Sequence, residues 1–147
     1  MVWIYRMLDW LRHRARRPHL DPAHALGKRG EDLAHRYLQR QGYTIVGRNF
    51  RTRSGSGEVD LIGWKGDVLA FVEVKSRSSA EYGDPERAVD AEKRHKLVIA
   101  AREYTRRAHV DWSKVRFDVL SIVFPEPPQI TLFEDAFGKR DDLRSTM

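Results

Sequence analysis

Residues 57 to 77 read GEVDLIGWKGDVLAFVEVKSR, two arms of one hairpin turning about Lys65-Gly66-Asp67. Gly57-Glu58-Val59-Asp60-Leu61-Ile62 opens the first arm and Phe71-Val72-Glu73-Val74-Lys75 completes the second. Side chains alternate faces along a strand, so Glu73 and Lys75 point the same way. With a two-residue loop, Asp60 falls opposite or diagonal to Glu73 on that face. Three charged groups then meet at the end of an otherwise apolar sheet, where ionised side chains are costly unless something pairs with them. A divalent cation would be that partner.

The fold follows from reading outward. Val68-Leu69-Ala70-Phe71-Val72 is apolar on both faces, as in a strand sandwiched between layers. Upstream, Leu26, Leu33, Ala34, Tyr37 and Leu38 recur at helical period from about Pro22 to Gln41, and Gly42 is the expected C-terminal cap. Tyr43 to Arg51 is β-branched around Thr44-Ile45-Val46 and reads as a strand. Ser54-Gly55-Ser56-Gly57 reads as a flexible turn. Downstream, Asp84-Pro85 is a helix start, and the helix carries Val89, Leu97, Ala100, Ala101 and Tyr104 inward to about Ala108, with a break near Asp90. Val115 to Phe124 reads as a strand ended by prolines, and Ile130 to Phe133 as a short edge strand. The order αβββαββ implies an α/β sandwich, a central mixed β-sheet flanked by helices.

At 147 residues the chain has the size of one domain. Residues 1–21 read as a basic amphipathic helix and linker, 22–137 as the domain, and 138–147 as a charged tail. The absence of cysteine excludes disulfides, Cys-containing zinc sites and thiol nucleophiles. No apolar run approaches a membrane span and no signal-peptide pattern is present, so integral membrane association is not expected and the cytoplasm is. Gly55-Ser56-Gly57 lacks the third glycine of a dinucleotide fingerprint and precedes a strand, which argues against a nucleotide cofactor. The net charge of +6 suits a polyanion partner. Yet Arg6, Arg12, Arg14, Arg16 and Arg17 against Asp9 supply +4 of it, leaving +2 for the rest. The N-terminal helix is expected to dock on the domain, on a second subunit or on a surface.

Glu31 in the first helix, Asp60 in the second strand and Glu73-Val74-Lys75 in the third resemble the PD-(D/E)XK nuclease superfamily. A closer resemblance is to the bacterial YraN-like family, through Gly30-Glu31, the two hairpin arms with Arg77, and Phe117-Asp118-Val119. It covers roughly residues 24 to 137. The resemblance implies a restriction-endonuclease-like fold, similar to archaeal Holliday-junction resolvases, and a metal-dependent endonuclease acting on DNA, branched or single-strand-containing DNA above all. A homodimer would suit symmetric substrates, although nothing in the chain fixes an interface. The competing reading is a catalytically weak nucleic-acid-binding or partner-docking protein on the same fold.

Mg²⁺ or Mn²⁺ is the expected cofactor, since hard cations prefer oxygen ligands and keep several waters. Asp60 and Glu73 would ligate it directly. The family pattern adds the Val74 backbone carbonyl, and Glu31 directly or through water. Glu31 has a duller alternative, a carboxylate favouring a helix dipole. Lys75 would position the attacking water or neutralise charge developing on the phosphate. Arg51, Arg53 and Arg77 flank the hairpin and could grip phosphates. Lys93 interrupts the apolar stripe of the second helix, either snorkelling or reaching the site. Glu58 shares strand parity with Asp60 but adjoins a turn, where solvation is the commoner fate. Trp64 and Tyr82 could stack on bases, and Asp118 reads as structural.

Overall fold

The computed structural model describes residues 22–78, 91–125 and 127–139. The N-terminal helix and linker up to residue 21, Tyr82, the Asp84-Pro85 helix start, Val89 and the tail from residue 140 lie outside them. The first element is helix α1, Pro22–Arg40. Its end is built as the sequence implies: Gly42 takes φ of +94°, open to a residue without Cβ. The Gly42 N–H then bonds to the Gln39 carbonyl at 3.1 Å and the Tyr43 N–H to the Leu38 carbonyl at 3.0 Å. These are the two bonds of a Schellman cap, and the accompanying apolar contact is present because Tyr43 and Leu38 share one core.

Strands β1 (Thr44–Arg51), β2 (Glu58–Lys65) and β3 (Val68–Arg77) follow, then helix α2 (Ala91–Ala108), a 3₁₀ turn at Trp112–Lys114, and strands β4 (Val115–Val123) and β5 (Gln129–Phe133). They form one five-stranded sheet in the order β1-β2-β3-β4-β5. β3 and β4 run parallel while the other pairs are antiparallel, so the sheet is mixed. A parallel neighbour cannot be reached by a tight turn, and α2 lies in the β3 to β4 connection.

Each helix covers its own core. Leu97, Val98, Ala100 and Ala101 of α2 pack with Leu69, Phe71, Phe117 and Val119, whereas Ala34 and Leu38 of α1 pack with Ala70, Val72, Leu120 and Ile122. Adjacent residues of β3 thus face different helices, and Leu69 through Val72 are all fully buried, as a sandwiched strand requires.

Two local features depart from the sequence reading. The Ser54–Gly57 stretch is a closed turn: Thr52 N–H bonds to the Gly57 carbonyl at 3.0 Å, and Gly57 N–H returns to Thr52 Oγ1 at 2.9 Å. Gly57 is small for packing, since a Cβ there would lie 2.7 Å from the Ala100 backbone nitrogen of α2. In β1 the pairing shifts between Ile45 and Gly47, leaving Val46 exposed on a bulge of this edge strand. Among the described residues, no helix is long and apolar enough to cross a membrane.

Candidate functional site

The β2–β3 hairpin has the two-residue turn Gly66-Asp67, which pairs Lys65 with Val68 and Leu61 with Val72. One step beyond Leu61 and Val72 the regular pairing ends, and there Asp60 stands against Glu73. The Val74 N–H, left without a β2 carbonyl, donates instead to Asp60 Oδ2 at 2.7 Å. A strand residue's N–H and C=O point to one side, so the Val74 carbonyl faces the same gap. The strict alternation also relaxes at Asp60: Val59 and Ile62 both pack with the α2 core while Leu61 joins the α1 core. Asp60 therefore sits where β2 turns between layers.

Burial dominates this pair. Glu73 has a side chain only 14% exposed. Its removal from water, then the Asp60 charge, push its carboxyl well above the ordinary range, with the Lys93 ammonium opposing the rise. Asp60 is raised as well, again chiefly by burial; the Val74 N–H opposes this and Glu31 adds to it. The two carboxyls interact directly and favour sharing a proton. Lys75 is shifted the other way, its ammonium disfavoured by burial and then by the nearby Lys93 and Arg77.

The structure thus brings Asp60, Glu73, Lys75 and Lys93 together. Lys93, on the first turn of α2, places Nζ 3.7 Å from Glu73 Oε1. Glu31 stands further back, close enough for its charge to act on Asp60, and Arg48 Nη2 lies 3.9 Å from its Oε2. Arg48 also bonds to Asp32 Oδ1. Gly30, one residue before Glu31, lets α1 settle on β3, because a methyl group there would overlap the Ser76 hydroxyl. Glu58 is at the margin, half exposed and 3.8 Å from Arg51 across the β1–β2 pair. Arg51 and Arg53 are exposed beside the site, whereas Arg77 is buried, 8% exposed, its backbone carbonyl accepting from Phe124. Arg77 therefore acts on Lys75 from within the fold. Trp64 packs partly buried against the α2 core.

Asp118 is fully buried in β4, and its carboxylate is satisfied by Arg116 Nε and Nη2, both at 2.8 Å, and by the Asp135 N–H at 2.9 Å. Arg116 also donates to Tyr43 Oη at 2.9 Å. Burial, then the Asp118 charge, push the Tyr43 hydroxyl up to about 12. This network joins β4 to the start of β1 and reaches the exposed Glu134 carboxylate at its rim.

Arg48 is the site-adjacent residue that sequence reasoning missed. Its signal was an arginine in the middle of β1, paired in register with the buried Leu61. A charge at that place needs a partner, and α1 provides two.

The donor set fits a hard divalent ion. Asp60 and Glu73 place two largely buried carboxyls side by side, and the Val74 carbonyl adds a third oxygen on the same side. Among the described residues no group of three or more His, Asp or Glu side chains is placed to hold a metal ion. Water would have to fill the remaining positions, as Mg²⁺ commonly requires.

Together these features define a mixed α/β protein whose central hairpin carries a buried pair of carboxylates beside two lysines. The chain belongs to the uncharacterised protein family UPF0102, whose model matches residues 30–122, the YraN-like family that the motifs resemble. It is 54% identical over 134 residues to a UPF0102 protein of Solibacter usitatus, covering 91% of this chain and 97% of that one. A UPF0102 protein of Rhodococcus opacus is 48% identical over 115 residues, covering 77% and 96%. One of Clostridium kluyveri is 44% identical over 115 residues, covering 76% and 93%.

Proposed function

We propose that this protein is a metal-dependent endonuclease of the PD-(D/E)XK superfamily with a restriction-endonuclease-like fold, hydrolysing phosphodiester bonds in DNA. The observation that carries this reading is the pairing of Asp60 with Glu73 at the open end of the hairpin, with Lys75 two residues further along β3. Asp60, Glu73 and the Val74 carbonyl would hold Mg²⁺ or Mn²⁺, with Glu31 acting on the site from α1. When bound, such an ion would polarise a phosphate oxygen and lower the pKa of a coordinated water.

The chain's own residues supply the rest. The Val74 N–H fixes the Asp60 carboxylate, so this ligand arrives oriented. Lys75, on the Glu73 side of β3, would face the reacting phosphate and offset charge that develops in the transition state. Arg51 and Arg53, exposed on β1 and the following turn, would hold neighbouring phosphates. Branched or single-strand-containing DNA is the substrate expected of this reading.

A panel of plasmid, single-stranded and four-way-junction DNA incubated with protein and Mg²⁺ or Mn²⁺ tests this. Cleavage is expected from the wild type and a loss of at least about 100-fold from Glu73→Ala, Lys75→Ala and Asp60→Asn. Equal nicking by wild type and Glu73→Ala would place the activity outside this site. The second reading, a nucleic-acid-binding protein with little catalysis, draws on the lack of a third gathered carboxylate among the described residues. Tight binding to junction DNA without cleavage under either metal would favour it.

A further inference from the structure

Lys93 approaches Glu73 from a different element, and the two side chains are unequally placed. Glu73 is 14% exposed whereas Lys93 is 42% exposed, with Nζ 3.7 Å from Oε1. The carboxylate is therefore held inside the protein, while the ammonium sits on a long stem able to withdraw into water. Of the charges acting on Glu73, Asp60 and Glu58 repel while Lys93 and Lys75 attract. The Lys93 ammonium also faces Lys75, which repels it. Attraction from one neighbour and repulsion from the other leave the Lys93 position dependent on the charge of the carboxylate pair.

A divalent ion between Asp60 and Glu73 would bring two positive charges to a place where Lys93 supplies one. It would neutralise the attraction and add to the repulsion already coming from Lys75. Building on the metal-dependent reading above, we propose that Lys93, held against Glu73, is the counter-ion of the Asp60–Glu73 carboxyl pair in the metal-free protein. An entering divalent ion displaces its ammonium, which then turns toward a phosphate of the substrate. The ion and the Lys93 ammonium thus compete for the same carboxyl pair, and the start of α2 is coupled to metal occupancy.

The test uses the full chain with Mn²⁺ as the probe, measured by electron paramagnetic resonance of the free ion, together with thermal melts in EDTA and in saturating Mn²⁺. Lys93→Gln is expected to bind Mn²⁺ roughly threefold or more tightly than wild type, the scale of a partly exposed ion pair. It is expected to melt below wild type in EDTA and to regain the difference in Mn²⁺, because a ligand that binds only the folded state stabilises it in proportion to its affinity. Lys93→Arg should follow the wild type in both measurements. Equal or weaker Mn²⁺ binding by Lys93→Gln, or a melting deficit that Mn²⁺ leaves unchanged, would overturn the competition and leave the metal site standing. Absence of Mn²⁺ binding in every variant would remove the metal site itself, and the competition with it.

Discussion

Glu73 illustrates how a candidate site residue is kept at a cost to the fold. Its ordinary value near 4.5 is pushed up to about 8, first by burial and then by the Asp60 charge. A carboxyl raised in the folded state binds its proton more tightly there than in the unfolded chain. The folded state is consequently favoured most below the unfolded value near 4.5, and this advantage is lost as pH rises toward 8. Glu73→Gln removes the ionisation and is expected to make the metal-free protein more stable by about 1–2 kcal/mol at pH 8.5, after allowance for the lost Lys93 contact. Near pH 4.5 the two proteins should have similar urea midpoints. A difference of the same size at both pH values would show that packing, not charge, separates them.

At the scale of elements, the helix–strand junctions carry the strictest demands. Gly57 marks the place where the start of β2 passes under α2, and an added methyl would press on Thr52 and Ile99 as well as on the Ala100 backbone. Backbone cannot step aside as a flexible side chain can, so Gly57→Ala is expected to destabilise by about 2–3 kcal/mol, read as a lowered denaturant midpoint. A change below about 0.5 kcal/mol would mean that α2 shifts freely. Much of this level was legible in the chain. The period of Leu26, Leu33, Ala34 and Leu38 marked α1, Gly42 marked its end, and the two-residue turn placed Asp60 against Glu73. Local pattern suffices for such features because one strand or helix determines them. The packing demand at Gly57 was not legible, since it depends on where α2 lies. Lys93 stood out as a charge in an apolar stripe, but its partner could not be read, because a helix set on a sheet brings together residues that no period connects. The same holds for Arg48 and its carboxylates on α1.

Across the whole molecule, one sheet separates two cores and binds them into a unit. β2, β3 and β4 contribute to both, with Ile62 and Phe71 toward α2 and Leu61 and Val72 toward α1. Leu38→Ala on one side and Leu97→Ala on the other remove fully buried side chains, each at an expected 2–5 kcal/mol. Because the strands are common to both layers, either change should lower a single cooperative transition, followed by circular dichroism and tryptophan fluorescence together. Separate transitions for the two probes in either variant would show that the layers melt apart. The overall charge says less: most of the +6 belongs to the first twenty residues, so the domain is defined by its hairpin more than by its field.

The bond from the Val74 N–H to Asp60 Oδ2 has a consequence for genetics as well as for chemistry. One oxygen atom serves as the closing rung of the sheet and as part of the carboxylate pair, so deleting the side chain removes both at once. An inactive Asp60→Ala protein would be ambiguous for that reason, a lost ligand and an opened hairpin looking alike. Asparagine retains a carbonyl oxygen able to receive the Val74 N–H while giving up the charge. Asp60→Asn is therefore the substitution in which architecture and reactivity come apart.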